Sequence, residues 1–110
     1  MPIRYNKIVR DRIPDIITAS GKYPRIRRLS GGEYSERLAH KLVEEAEEFV
    51  ASGNIEELAD VLEVMLAILR DQEVGWEALE SIRTAKHAVR GGFQQQILLI
   101  EVADQDSSVP

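Results

Sequence analysis

The chain has 110 residues, room for one modest core, and lacks cysteine, which excludes disulfides, thiolate zinc sites and a cysteine nucleophile. Nineteen acidic against fourteen basic residues leave a net charge of -5, the wrong sign for gripping duplex nucleic acid by its phosphates. His40 and His87 are the two histidines, too few for an imidazole-rich metal site.

In chain order, the first signal is a charged start, MPIRYNKIVRDRIP, unlike a secretory leader. Proline in a first turn and Gly21 behind it predict a short helix over 14–19. The alternating run at 25–29 reads as a short strand. Tyr34, Leu38, Leu42, Ala46 and Phe49 recur at helical spacing and predict a helix over 33–51, ended by Gly53. Behind Asn54, a good N-cap, Leu58, Val61, Leu62, Met65, Ile68 and Leu69 predict a second long helix reaching residue 72. A third covers 76–90 and stops at Gly91-Gly92. The run at 96–102 offers a partner strand for 25–29. The longest mainly apolar stretch, 61–69, is broken by Glu63 and far too short to span a bilayer. The expectation is one mainly α domain over 1–103, an antiparallel helical bundle with a small β-hairpin or two-stranded sheet, soluble and cytoplasmic. Residues 104–110 read as a disordered tail.

Charge is segregated along this layout. Residues 1–41 carry a balance of +6, residues 42–82 a balance of -11, and the remainder is neutral. The acidic block is threaded with apolar residues at helical spacing, so it belongs to a folded, anionic zone rather than a solvated tail.

Helical geometry locates that zone. With about 100° per residue, Glu48 lies about 40° and Glu45 about 100° from Glu44. These three form a strip along the edge of the apolar face, while Glu47 points away. Lys41 lies in the same strip, so a local Lys–Glu pair accounts for part of it. On the next helix Glu57 falls inside the apolar arc and Asp60 one step beyond its edge. Two ordinary explanations stand beside a functional one. Asn54-Ile55-Glu56-Glu57 fits a capping box, in which Glu57 reaches back to the Asn54 amide, and the helix dipole favours an acid near Asp60. The short connection 52–54, however, predicts that the two long helices fold back on each other. Glu45, Glu48, Glu57 and Asp60 then converge across one seam. Carboxylates without Cys or His suit a hard divalent ion, Mg²⁺ or Mn²⁺. The natural substrate of such a site is a polyphosphate, whose oxygens the metal neutralises. A spare carboxylate can take the proton of an attacking water.

On the third long helix Lys86 falls between Leu79 and Val89, with Arg83 and Arg90 beside it. It is either a snorkelling lysine or part of a cationic clamp on phosphates. The basic run Arg4, Lys7, Arg10 and Arg12 either approaches a phosphate too or pairs with the acidic zone.

Glu44-Glu45-Ala46-Glu47-Glu48 followed by Glu57-Leu58-Ala59-Asp60 resembles the EExxE…ExxD signature of the MazG-like, all-α nucleoside triphosphate pyrophosphohydrolase superfamily. The flanking segments, Tyr5 to Pro14 and Arg90-Gly91-Gly92-Phe93, resemble its phosphoribosyl-ATP pyrophosphohydrolase-like, house-cleaning branch. The similarity covers about residues 3–102. It implies a dimerising helical core that cleaves an α–β phosphoanhydride to a nucleoside monophosphate and pyrophosphate. By that match Glu45, Glu48, Glu57 and Asp60 would ligate Mg²⁺, Glu44 would support the water or a second metal, and Lys86 and Arg90 would hold phosphate. Eight residues, 49–56, separate the two halves of the signature, fewer than in many MazG-like members. The expected partners are a nucleotide and a second copy of the chain, with no duplex nucleic acid and no membrane. Two other readings use the same residues: a helical dimer that binds metal or nucleotide without turnover, as a sensor or partner module, and a structural helical assembly whose acids are caps and salt bridges.

Overall fold

Residues 1–104 are described by a computed structural model, and four helices form close to where the apolar spacing marks them. α1 spans Ile13–Ala19, α2 Gly31–Ser52, α3 Glu56–Asp71 and α4 Trp76–Arg90. The chain is therefore mainly α. Pro14 occupies the first turn of α1, where its missing amide leaves no hydrogen bond unmade. The tail expected at 104–110 lies, beyond Asp104, outside the described residues.

Gly53 closes α2 with φ 65°, its amide donating to the Phe49 carbonyl at 2.7 Å. That left-handed turn is open to glycine without a Cβ clash. Asn54 works one position earlier than a simple N-cap. Its Oδ1 accepts the Glu56 amide at 3.0 Å, and its own amide donates to Ser52 Oγ at 3.1 Å. With three residues between them, α2 and α3 turn back and pack antiparallel. The Ser35 hydroxyl near the start of α2 donates to Asp71 Oδ2 at the end of α3, at 2.6 Å. Leu38 and Val64, at 4% and 9% exposure, are the buried apolar side chains of this pair, each contributing roughly 1.5–3 kcal/mol. Val43, Leu58 and Leu62 on the same helices stay exposed.

The segment before α1 is anchored to α2. Asn6 adopts φ 47°, a left-handed conformation that asparagine tolerates better than most residues, and its carbonyl accepts a 2.8 Å hydrogen bond from Arg37 Nη1.

The two expected strands do not form. Among the described residues there is no strand at 25–29 or 96–102. Arg27 places its guanidinium fork on Glu33, with both hydrogen bonds at 2.9 Å, and a strand without a paired edge has no ladder to satisfy its amides. Ile97, Leu98, Leu99 and Ile100 are contiguous and exposed, lacking the alternation that gives a two-faced strand.

The chain divides into two compact units, Met1–Trp76 and Glu77 onward. α1, α2 and α3 belong to the first, and nearly all of α4 to the second. Among the described residues no helix is long and apolar enough to cross a membrane.

Candidate functional site

Five carboxylates gather on the seam between α2 and α3. Glu44, Glu45 and Glu48 each offer an oxygen within 4.8 Å of the others, and so do Glu45, Glu57 and Asp60. Glu45 belongs to both groups and is the buried one, at 7% exposure. Its position follows from helical geometry: of the three acids on α2 it lies nearest the apolar arc, so α3 packs over it. Opposite ligands of an octahedral Mg²⁺ stand about 4.2 Å apart, twice a 2.1 Å bond. Oxygens up to 4.8 Å apart would have to draw together by side-chain rotation to share one such cation, and no sulfur or nitrogen donor is among them.

The ordinary explanation offered for Glu57 fails. Its side chain does not close a capping box, because the Asn54 amide goes to Ser52 instead. Asp60 is the fifth residue of α3, past the first turn where the helix dipole is effective. Its partner is Arg10, whose Nη2 lies 2.5 Å from Oδ1. The local lysine pair does form: Lys41 Nζ lies 3.1 Å from Glu45 and 3.6 Å from Glu44. Lys7 Nζ adds a longer contact to Glu44 at 3.8 Å. Glu48 and Glu57 have no ion pair among the described residues.

Crowding of like charge shows in the titration of the seam. A hydrogen bond with Glu45, then the fields of Glu45, Glu57 and Glu44 together with slight burial, hold the Glu48 carboxyl above the ordinary carboxylate value. Burial works to lower the Lys41 ammonium, but its hydrogen bond to Glu45 and the fields of both glutamates outweigh this and hold it above normal. A second positive charge at this seam would relieve the first effect.

All five acids picked out by the sequence thus meet in the first unit. Lys86 and Arg90 are exposed on α4, in the second unit, and Arg83 hydrogen bonds to Glu80 one turn away. Within the first unit the cations on these carboxylates are Lys7, Arg10 and Lys41. Pairing with the acidic zone was one of the two readings of the N-terminal basic run. Arg37 and His40 were missed altogether. Their signal was present, since residues 37, 40, 41 and 44 fall on one helical face.

No family model matches the chain, and no solved structure matches it. A protein of Mycolicibacterium smegmatis described as uncharacterized is 52% identical over 46 residues, which is 42% of this chain and 47% of the relative. The chain thus spans about half the length of the relative it matches.

Proposed function

We propose that this protein is a Mg²⁺-dependent nucleotide pyrophosphohydrolase of the MazG-like kind, cleaving the α–β phosphoanhydride of a nucleoside triphosphate or of phosphoribosyl-ATP. One observation carries the reading: five carboxylates from two helices meet on one seam around the buried Glu45. Glu45, Glu48, Glu57 and Asp60 would hold the ion. When bound, Mg²⁺ (or Mn²⁺ in its place) neutralises phosphate oxygens and polarises the phosphorus for attack. Glu44 would accept the proton of the attacking water. The water oxygen bonds to phosphorus, the bridging P–O bond breaks, and the products are a nucleoside monophosphate and pyrophosphate. Lys86 and Arg90 are retained as candidate phosphate contacts through the resemblance alone. The exposed Val43, Leu58 and Leu62 support a homodimer that completes a helical bundle, as in the family the chain resembles. A house-cleaning role in the cytoplasm belongs to the same reading.

A second reading has an observation of its own. Glu44 stands between two ammonium groups, Lys7 and Lys41, as a carboxylate with an electrostatic rather than proton-transfer role would. A sensor or partner module that binds metal or nucleotide without turnover fits that arrangement.

The deciding experiment is pyrophosphate release with Mg²⁺ from a panel of canonical and modified nucleoside triphosphates and phosphoribosyl-ATP. The proposal expects turnover of at least one, falling at least about a hundredfold in Glu57→Gln, since even groups behind a metal ligand are worth 10–100-fold. Glu44→Gln should lose turnover but keep nucleotide affinity. No release from any substrate, with Mg²⁺ binding intact, overturns the enzyme reading in favour of the sensor.

A further inference from the structure

Arg37, His40, Lys41 and Glu44 occupy one face of α2, and the segment before α1 crosses that face. Arg37 fixes the crossing through the Asn6 carbonyl. Lys7, still exposed, extends toward α2, its Nζ 3.8 Å from Glu44 and 6.0 Å from the centre of the Tyr5 ring. Between segment and helix lies a cavity of about 160 Å³ lined by Asn6, Lys7, Ile8, Arg37, His40, Lys41 and Glu44. Three positive charges line it with the Glu44 carboxylate, Lys41 also pairing with Glu45, in a chain whose net charge is -5. The carboxylate is the same Glu44 that borders the acid cluster. Cavities that enclose drug-sized ligands run to about 300–1,000 Å³; this one is smaller and half open to solvent. A diphosphate, compact and multiply charged, matches both its size and its sign.

We propose that this cavity is an anion subsite for the pyrophosphate portion of the substrate, with Arg37, Lys7 and Lys41 as its binding residues. The inference rests on the pyrophosphohydrolase reading for the identity of the anion. Arg37 supplies a planar fork with five donors, of which one bond goes to Asn6. The two lysines supply charge, and both pair with Glu44, Lys41 with Glu45 as well. A divalent cation that takes up Glu45 releases the Lys41 ammonium toward an anion. Metal and pyrophosphate therefore bind with positive coupling, and each raises the affinity for the other by the same factor.

Isothermal titration of the full chain with inorganic pyrophosphate, inorganic phosphate and Mg²⁺ tests this. Pyrophosphate should bind at least about tenfold more tightly with Mg²⁺ present than without, and more tightly than phosphate. Arg37→Met and, on the exposed segment, Lys7→Gln should each weaken pyrophosphate by about tenfold or more while Mg²⁺ affinity measured alone stays within about twofold. Circular dichroism confirms that both variants keep their helices, and Lys7→Gln carries the test if Arg37→Met does not fold. Glu44→Gln removes the carboxylate shared by the two lysines, so its metal-free affinity for pyrophosphate should rise. Pyrophosphate affinity unchanged in Arg37→Met and Lys7→Gln overturns the subsite, even where hydrolysis is observed. Phosphate binding as tightly as pyrophosphate also overturns it. A gain in Glu44→Gln that Arg37→Met abolishes upholds the cavity as an anion site, even if the wild-type chain binds no Mg²⁺ and hydrolyses nothing, in which case the hydrolase reading alone falls.

Discussion

Two sets of acids on the same helical scaffold behave in opposite ways. Glu33 and Glu80 lie on exposed faces, and each meets an arginine fork: Arg27 hydrogen bonds to Glu33 and Arg83 to Glu80. Those hydrogen bonds hold both carboxyls below the ordinary value. Glu48, also exposed, is held above it because its nearest strong neighbour is another glutamate. Exposure is similar and residue type is identical, so the sign of the neighbour decides. At Glu33 and Glu80 the negative charge is matched within a turn or a short loop. On the α2–α3 seam five carboxylates meet three cations, and Glu48 and Glu57 are left over.

The largest consequence should be a response to metal confined to the seam. At about a hundred times its dissociation constant, Mg²⁺ bound to the native state would raise the melting temperature by roughly 10 °C. Glu57→Gln should remove that rise without lowering the metal-free melting temperature, because Glu57 gives up no ion pair. The same measurement on Glu33→Gln should show the full rise. Equal loss in both variants would erase the distinction between the two sets.

A smaller effect is expected in pH dependence, and its sign separates the sets. Glu48 is raised in the folded chain above its ordinary value of 4.5, so its share of stability is full below that value. It is lost as pH rises through the raised folded value. Glu33 and Glu80 are lowered from 4.5, so their share is present above that value and lost as pH falls through their depressed ones. Urea unfolding of the metal-free chain between pH 4.5 and 7 should therefore show a decline in stability toward neutral pH that Glu48→Gln flattens and Glu80→Gln does not.

The smallest expected effect lies in the outer pairs themselves. Exposed ion pairs contribute little, so Glu80→Gln should shift the melting temperature by about 2 °C or less in thermal unfolding. A larger drop would mean that the outer faces also depend on charge pairing, and the comparison would soften.

Much of this was legible in the residues because it is local. Helix ends follow backbone chemistry within a few residues. Gly53 stops α2 because only its neighbours' carbonyls and its own freedom at positive φ are involved, and α4 ends at Arg90, just before Gly91-Gly92, as expected. The angular arithmetic of one helix put Glu44, Glu45 and Glu48 in a strip, and the short connection brought Glu57 and Asp60 beside it. The errors were also informative. The capping box at Asn54 was a legitimate local pattern, displaced by a competing hydroxyl from Ser52. The strands at 25–29 and 96–102 had composition in their favour but no edge to pair with.

Sequence alone therefore determined the helices, their turn-back and the company the acids keep, since each depends on periodicity or on a span of a few residues. Tertiary structure decided which acid goes under and which cation meets it. Glu45 is buried because α3 lies over its side of α2. Arg10 reaches Asp60 across 50 residues of chain, and Arg37 holds Asn6 across 31. Such pairings have no period to betray them, because an ion pair between distant segments depends on where the backbone carries two charges and not on any spacing between them.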